Sequence, residues 1–197
     1  MRVADTLADE FGFSQTGSGG YTSSYIRVAH ARGELPFRLD HKDNTIQWDQ
    51  PLSLVDYKVL IWCFEALRET VHPWAFLSRE AIREMLAAPG AAMKVMPLVD
   101  KVMLHLRTAL RAPNMEIFLA TITALRQLIQ CIGEQPIHHH LPQLITPLRK
   151  WMYNPRTGDA VLDTFRDLIS AAGEKKNQVF KIIHSRVPTF DELPSRH

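Results

Sequence analysis

Cysteine is scarce: Cys63 and Cys131 are the only two in 197 residues, and no C-x-x-C occurs. Each lies inside an apolar helical pattern, so both are expected to be buried free thiols in a reducing compartment, not a disulfide framework. Long apolar runs are missing too. The longest strong one, Val59 to Phe64, stops at Glu65, far short of a membrane span. The first residues, with Asp5, Asp9 and Glu10, lack a basic-then-apolar leader. The expected setting is therefore cytosolic or nuclear, with no membrane partner. Catalytic signatures are absent as well: there is no G-x-x-x-x-G-K-[ST], no G-x-S-x-G and no H-E-x-x-H.

What is present is an ordinary globular composition, 46% apolar and 22% charged. It excludes collagen, a low-complexity polymer and a fully disordered chain. The length suits one domain with a short arm, and it suffices for a core without metal or disulfide staples. Net charge is only +2, but its distribution is uneven. Residues 101–156 hold seven basic and two acidic groups, whereas the flanking stretches are close to balanced. Such asymmetry suits an acidic partner, and it equally suits a merely solvated face.

Four of the nine glycines fall between Gly12 and Gly20, mixed with Ser and Thr. Residues 1–24 therefore read as a flexible arm, because such a stretch buries too little to offset its ordering entropy. Phe11, Phe13, Tyr21 and Tyr25 could still dock. Gly17-Ser18-Gly19-Gly20 resembles a phosphate loop only superficially, having no strand before it. Residues 25–53 read as extended or irregular, with β-leaning pieces such as Ile46-Gln47-Trp48 between Gly33, Pro36 and Pro51.

From Leu54 onward the pattern is helical. Leu54–Leu67 is apolar almost all round, which predicts a central buried helix. His72-Pro73 marks a break. A helix over about 78–88 ends at Pro89-Gly90. Val99, Val102, Met103, Leu106 and Leu110 form the stripe of the next. Asn114 is placed to cap another, whose Phe118, Ile122, Leu125, Ile129 and Ile132 are spaced 4, 3, 4, 3. Gly133 is expected to end it in the αL conformation. Helices over about 140–153 and 158–172 follow, the second ended by Gly173. A last helix carries Val179, Phe180, Ile182 and Ile183, and Pro188 closes it.

The chain also repeats itself. Val102, Met103, Leu106 and Arg107 recur 42 residues later as Leu144, Ile145, Leu148 and Arg149. Phe118, Leu119, Ile122 and Leu125 recur at 43 as Val161, Leu162, Phe165 and Leu168. The reading is an all-α, armadillo/HEAT-like α-solenoid of antiparallel helix pairs with an irregular N-terminal arm. Chance similarity of amphipathic helices is the plainer alternative. In such a stack, Arg107, Arg111, Arg149, Lys150 and Arg156 fall at related places and would form a basic ridge, a candidate surface for an acidic polymer. Nucleic acid is not the expected partner, since no RNP motif, helix-turn-helix or aromatic strip accompanies the basic residues.

Other candidates read first as structural. His138-His139-His140 reads as a solvated helix start, because neighbours on a helix point about 100° apart and three cannot converge well on one ion. His72 and His105 stand alone. Cys63 and His72 would need a folded contact to act as nucleophile and base. Glu65 and Glu69 lie four apart and could form an acid/base pair, but pairing with Arg68 or the preceding segment is the simpler reading. The methionines sit at core spacing. No catalytic, cofactor or metal site is expected.

A family resemblance begins at residue 32. Arg32-Gly33-Glu34-Leu35-Pro36-Phe37-Arg38-Leu39 resembles the pattern RG-x-[IL]-P-x-R-[LI]. His41 follows, then Trp48 with Pro51, then Leu67-Arg68-Glu69-Thr70-x-His72-Pro73-Trp74-x-Phe76. That last run resembles GLRET-x-HPY-x-F of the parkin co-regulated gene protein (PACRG) family. Leu106-Arg107-x-Ala109-Leu110 resembles the family's PLK-x-AL, and Val187-Pro188-Thr189 its closing [VI]PT[YF]. Ala66, Lys42 and Trp74 depart from the pattern, and the shorter segment between Gly133 and His184 resembles the PACRG-like branch. The resemblance spans about residues 25–190, leaving 191–197 as a tail.

The resemblance implies an armadillo-like fold, no enzymatic activity and no cofactor. It implies a microtubule-associated role in the axoneme of cilia or flagella, at the inner junction where the A- and B-tubules of a doublet are bridged. Tubulin and other axonemal proteins would be the partners, with residues 1–24 reaching between protofilaments. A soluble adaptor holding a small protein partner is the alternative. Within the motif, Gly33 is expected to turn with positive φ, Pro36 to fix an extended stretch and Trp48 to cover the helix at 54–67. Arg68 and Glu69 are expected to tie that helix to the segment at 32–39.

Overall fold

The computed structural model describes residues 24–40 and 42–192. The expected arm, up to residue 23, His41 and the tail from residue 193 lie outside them. Apart from one hairpin the regular elements among the described residues are helical: α1 Tyr25–Ala31, β1 Phe37–Asp40, β2 Thr45–Trp48, α2 Lys58–Glu65, α3 Trp74–Ala87, α4 Ala91–Val95, α5 Val99–Leu110, α6 Met115–Ile132, α7 Leu141–Met152, α8 Gly158–Ala171 and α9 Lys176–Arg186. Short 3-10 turns extend several ends. The body is all-α.

Helices pair with their sequence neighbours, α2 with α3, α5 with α6 and α7 with α8. The pairs meet side by side. Contacts run α2–α5–α7 along one row and α3–α6–α8 along the other, with α9 against α7 and α8. The repeated apolar positions line the resulting core: Val102, Met103, Leu106, Phe118, Ile122 and Leu125 in one pair, and Leu144, Ile145, Leu148, Val161, Phe165 and Leu168 in the next. The stripe spacing places each pair's apolar side on its neighbour, which is why the repeat in sequence becomes a row in space.

Polar contacts fix the sense of the rows. Arg79 of α3 pairs with Glu116 of α6 at 2.8 Å, and Arg126 of α6 with Asp167 of α8 at 2.6 Å. At the opposite face, Asp100 at the start of α5 meets His140 at the start of α7 at 2.9 Å. The helices of one row therefore run in the same sense, and their last turns face the same end of the molecule.

Several boundaries differ from the sequence reading. The central helix starts at Lys58, not Leu54, because the Asp56 carboxylate accepts the Lys58 N–H at 2.9 Å and Leu54 is left 70% exposed. The next begins at Trp74, four residues early. Pro73 is its N-cap, where a missing N–H costs nothing. Residues 25–31 are helical, not irregular. Asn114 caps α6 as expected, its side chain accepting from the Glu116 and Ile117 amides. Gly133 ends α6 with φ 75°, but its ψ of −176° is extended, not αL. α6 is also long and apolar enough, by length and composition, to cross a membrane, although polar residues interrupt its apolar run. Here it packs on α3, α5 and α8, burying Ile117, Phe118, Ile122, Leu125 and Ile129.

Gly158 opens α8 where the chain turns back from α7. A Cβ there would sit 2.5 Å from the Met152 carbonyl oxygen, a backbone atom that cannot swing away. Gly158→Ala is expected to lose about 1–3 kcal/mol through forced opening of this turn. Urea unfolding checks it; an unchanged midpoint would show the turn to be pliable.

Candidate functional site

The family-like residues gather around α1. The Glu69 carboxylate, 3% exposed, receives two bonds from the Arg27 guanidinium, at 2.8 and 2.6 Å, and one from the Ser24 hydroxyl. Glu65, equally buried, accepts the Tyr25 backbone N–H at 3.0 Å and pairs with Arg68 at 3.2 Å. Glu65 thus satisfies a first-turn amide of a helix that lies about 40 residues upstream in sequence, and Glu69 holds the same helix through its side chains. Glu69 thus grips α1, not the segment at 32–39. Both acids are committed to Arg, Ser and amide partners, an arrangement that stabilises the fold. Trp74, after the cis His72-Pro73 bond, takes the edge of His30 at 4.9 Å and lies under the Arg27 guanidinium. His72 itself is exposed, and Leu67 is fully buried.

The hairpin follows α1. Arg32 caps α1 and is exposed, and Gly33 has φ 68°, the positive value the turn requires. The Pro36 carbonyl accepts the Asp49 N–H at 2.9 Å, closing the hairpin's open end. Trp48 does not cover the helix at 54–67 through its polar edge. Its Nε1 donates to Glu84 of α3 at 2.6 Å, and its ring meets Phe37 across the strands at 4.9 Å. The strand register pairs Phe37 with Trp48 and Leu39 with Ile46, so one apolar face turns toward α3.

The five cations of the expected ridge lie toward the end of the molecule where α5 and α7 finish. Arg107 and Arg149 with Lys150 occupy the last turns, and Arg111 and Arg156 the turns beyond. Arg107 is half-buried and the other four are exposed. Among the described residues, no ion pair involves any of the five. The other row differs: Arg79, Arg83, Arg126 and Arg166 all pair with carboxylates. Cations in a last helical turn are favoured by the backbone dipole, which accounts for part of the placement. Among the described residues they have no carboxylate partner, so their charge is available to another molecule.

Two groups the sequence reading set aside are changed by the fold. His105, half-buried on α5, is driven down from 6.5 to about 4, chiefly by burial and then by the Arg68 charge. His139 and His140 both donate Nε2–H to Asp100 Oδ1, at 3.2 and 2.9 Å, while His138 turns away to Glu134. Burial lowers His140, and its hydrogen bond lowers Asp100. The rule that neighbouring histidines diverge holds for three here and fails for two. His139 and His140 meet at one point because Asp100 reaches across from another helix and accepts from both. Spacing within the run carries no trace of that carboxylate 39 residues earlier. Cys63 is fully buried and its thiol is pushed up, opposite to an activated nucleophile.

The described residues thus define an all-α body of paired helices, held at its start by a buried carboxylate clamp and edged at one end by unpaired cations. The model of the Parkin co-regulated protein family matches residues 24–192, and the chain belongs to that family.

Proposed function

We propose that the chain is a non-enzymatic, tubulin-binding structural protein of the ciliary or flagellar axoneme, of the doublet inner-junction type, in the cytoplasmic cytoskeleton. The observation that carries the reading is the set Arg107, Arg111, Arg149, Lys150 and Arg156 at one end of adjacent helices, which makes no ion pair among the described residues. Tubulin presents an acidic surface and acidic tails, and a cation row without internal partners is what such a filament would recognise. Family membership and the motif at 67–76 support the same reading.

Co-sedimentation with taxol-stabilised microtubules tests it. Binding is expected at low salt, weakening as salt rises and after removal of the tubulin tails. Charge reversal at Arg111, Arg149, Lys150 and Arg156 together is expected to weaken binding at least about tenfold, with helicity unchanged. Absence of binding at low salt, or indifference to the reversal, would overturn the reading.

The alternative, an adaptor for a small protein partner, draws on the other end of the molecule. Leu54, Met93 and Met96 are exposed there, and Lys94 ties the segment before α2 to α4 through the Ser53 carbonyl at 2.6 Å. Methionine-rich surfaces adapt to helical ligands. Recovery of one stoichiometric partner without tubulin, lost on Met93→Glu, would favour it.

A further inference from the structure

One ring nitrogen each of His139 and His140 and an Asp100 carboxylate oxygen converge from two different helices, all within 4.8 Å of one another, and the Nε2 of both rings meets Asp100 Oδ1. The two imidazole rings lie 3.8 Å apart, tilted by 41°, so both point the same nitrogen at one place. His140 is buried, whereas His139 and Asp100 face solvent. Tetrahedral zinc with bonds of about 2.0–2.1 Å separates its ligand atoms by about 3.3 Å. The Asp100 oxygen stands 3.2 Å from one nitrogen and 2.9 Å from the other, within a few tenths of that edge.

We propose that Asp100, His139 and His140 form a binding site for a zinc-class divalent ion. Two imidazoles and one carboxylate are the donor set such an ion prefers among nitrogen and oxygen ligands. The solvent-facing side leaves a fourth position for water. Each imidazole now spends its Nε2 proton on Asp100; ligation moves that proton to Nδ1 and frees the Nε2 lone pair, leaving the proton count of a neutral ring unchanged. The ion replaces two hydrogen bonds to one oxygen with three coordinate bonds. It thereby joins the start of α5 to the start of α7, adjacent helices of one row. Nothing in the proposal depends on tubulin binding: Arg107 is near enough for its charge to act on His140, but Arg111, Arg149, Lys150 and Arg156, the residues reversed in the microtubule test, lie in the last turns of α5 and α7 and beyond.

The test uses the full chain made without a histidine tag and stripped with chelator. Zn2+ titration by calorimetry is expected to show one ion per chain. Co2+ is expected to give the visible absorption of a tetrahedral site with nitrogen and oxygen donors. Zn2+ is also expected to raise the melting temperature. His139→Ala is the decisive variant, because this exposed side chain can be removed without disturbing the core. It is expected to lower Zn2+ affinity at least about tenfold and to abolish the thermal shift. Asp100→Asn is expected to do the same. No stoichiometric Zn2+ binding by the native chain overturns the proposal. So does binding that survives both substitutions, which would place the ion on other histidines.

Discussion

Replacing Arg27 with methionine is expected to destabilise the protein by about 3 kcal/mol, more than replacing Glu69 with glutamine. Methionine keeps much of the apolar stem but leaves the Glu69 carboxylate, 3% exposed, without its two guanidinium bonds. A buried charge stripped of its partner costs about 3–5 kcal/mol, and water entering beside the shortened side chain brings the figure to the lower end. Glu69→Gln keeps an amide oxygen that can still accept from Arg27, which is a third exposed and in part solvated, so about 1–2 kcal/mol is expected. The double variant should be more stable than Arg27→Met alone, because no unpaired charge remains buried. Urea unfolding of the four proteins, with hydrogen exchange over residues 25–31, checks this. Additive effects, or full protection of α1 in the Arg27 variant, would show that the clamp is not what holds the helix.

Acid sensitivity between pH 6.5 and 4 is the second large expected effect. His105 titrates near 6.5 when unfolded and about 4 when folded. The unfolded chain therefore binds its proton first as pH falls. Stability is full above 6.5, declines through the window, and below 4 is lower by about 3 kcal/mol. His105→Gln keeps a polar group of similar size without titrating, and should flatten most of the decline. His140, lowered mainly by burial, leaves a smaller residual slope. Unfolding free energies at pH 7.5, 6, 5 and 4.5 measure both curves. A native protein equally stable at pH 7.5 and 4.5, or a variant with the native slope, would contradict the assignment.

Residues α5 through α8 were legible because their signals are local. Phe118 to Ile132 keeps one stripe along the 18-residue α6, and Asn114 caps that helix from the adjacent position. The 42-residue repeat likewise foretold which positions share a core. α1 was not legible: it is short, and the groups that hold it, Glu65 and Glu69, come from the end of α2 and from the residue after the turn that follows it. Trp48 shows the same limit, since nothing near it in sequence indicates that Glu84 will take its indole N–H. The cation row could be read because Arg107 and Arg149 are repeat equivalents. Its lack of ion pairs among the described residues could not, because that depends on which acids the fold draws to the other row.

This division of charge gives one molecule two opposite responses to ionic strength. Along α3, α6 and α8, added salt weakens attractions such as Arg79–Glu116 and Arg126–Asp167. Around Arg111, Arg149, Lys150 and Arg156 the same ions relieve repulsion between like neighbours. The two effects oppose each other in the folding equilibrium, so thermal stability should change little over a salt series that dissociates an acidic ligand.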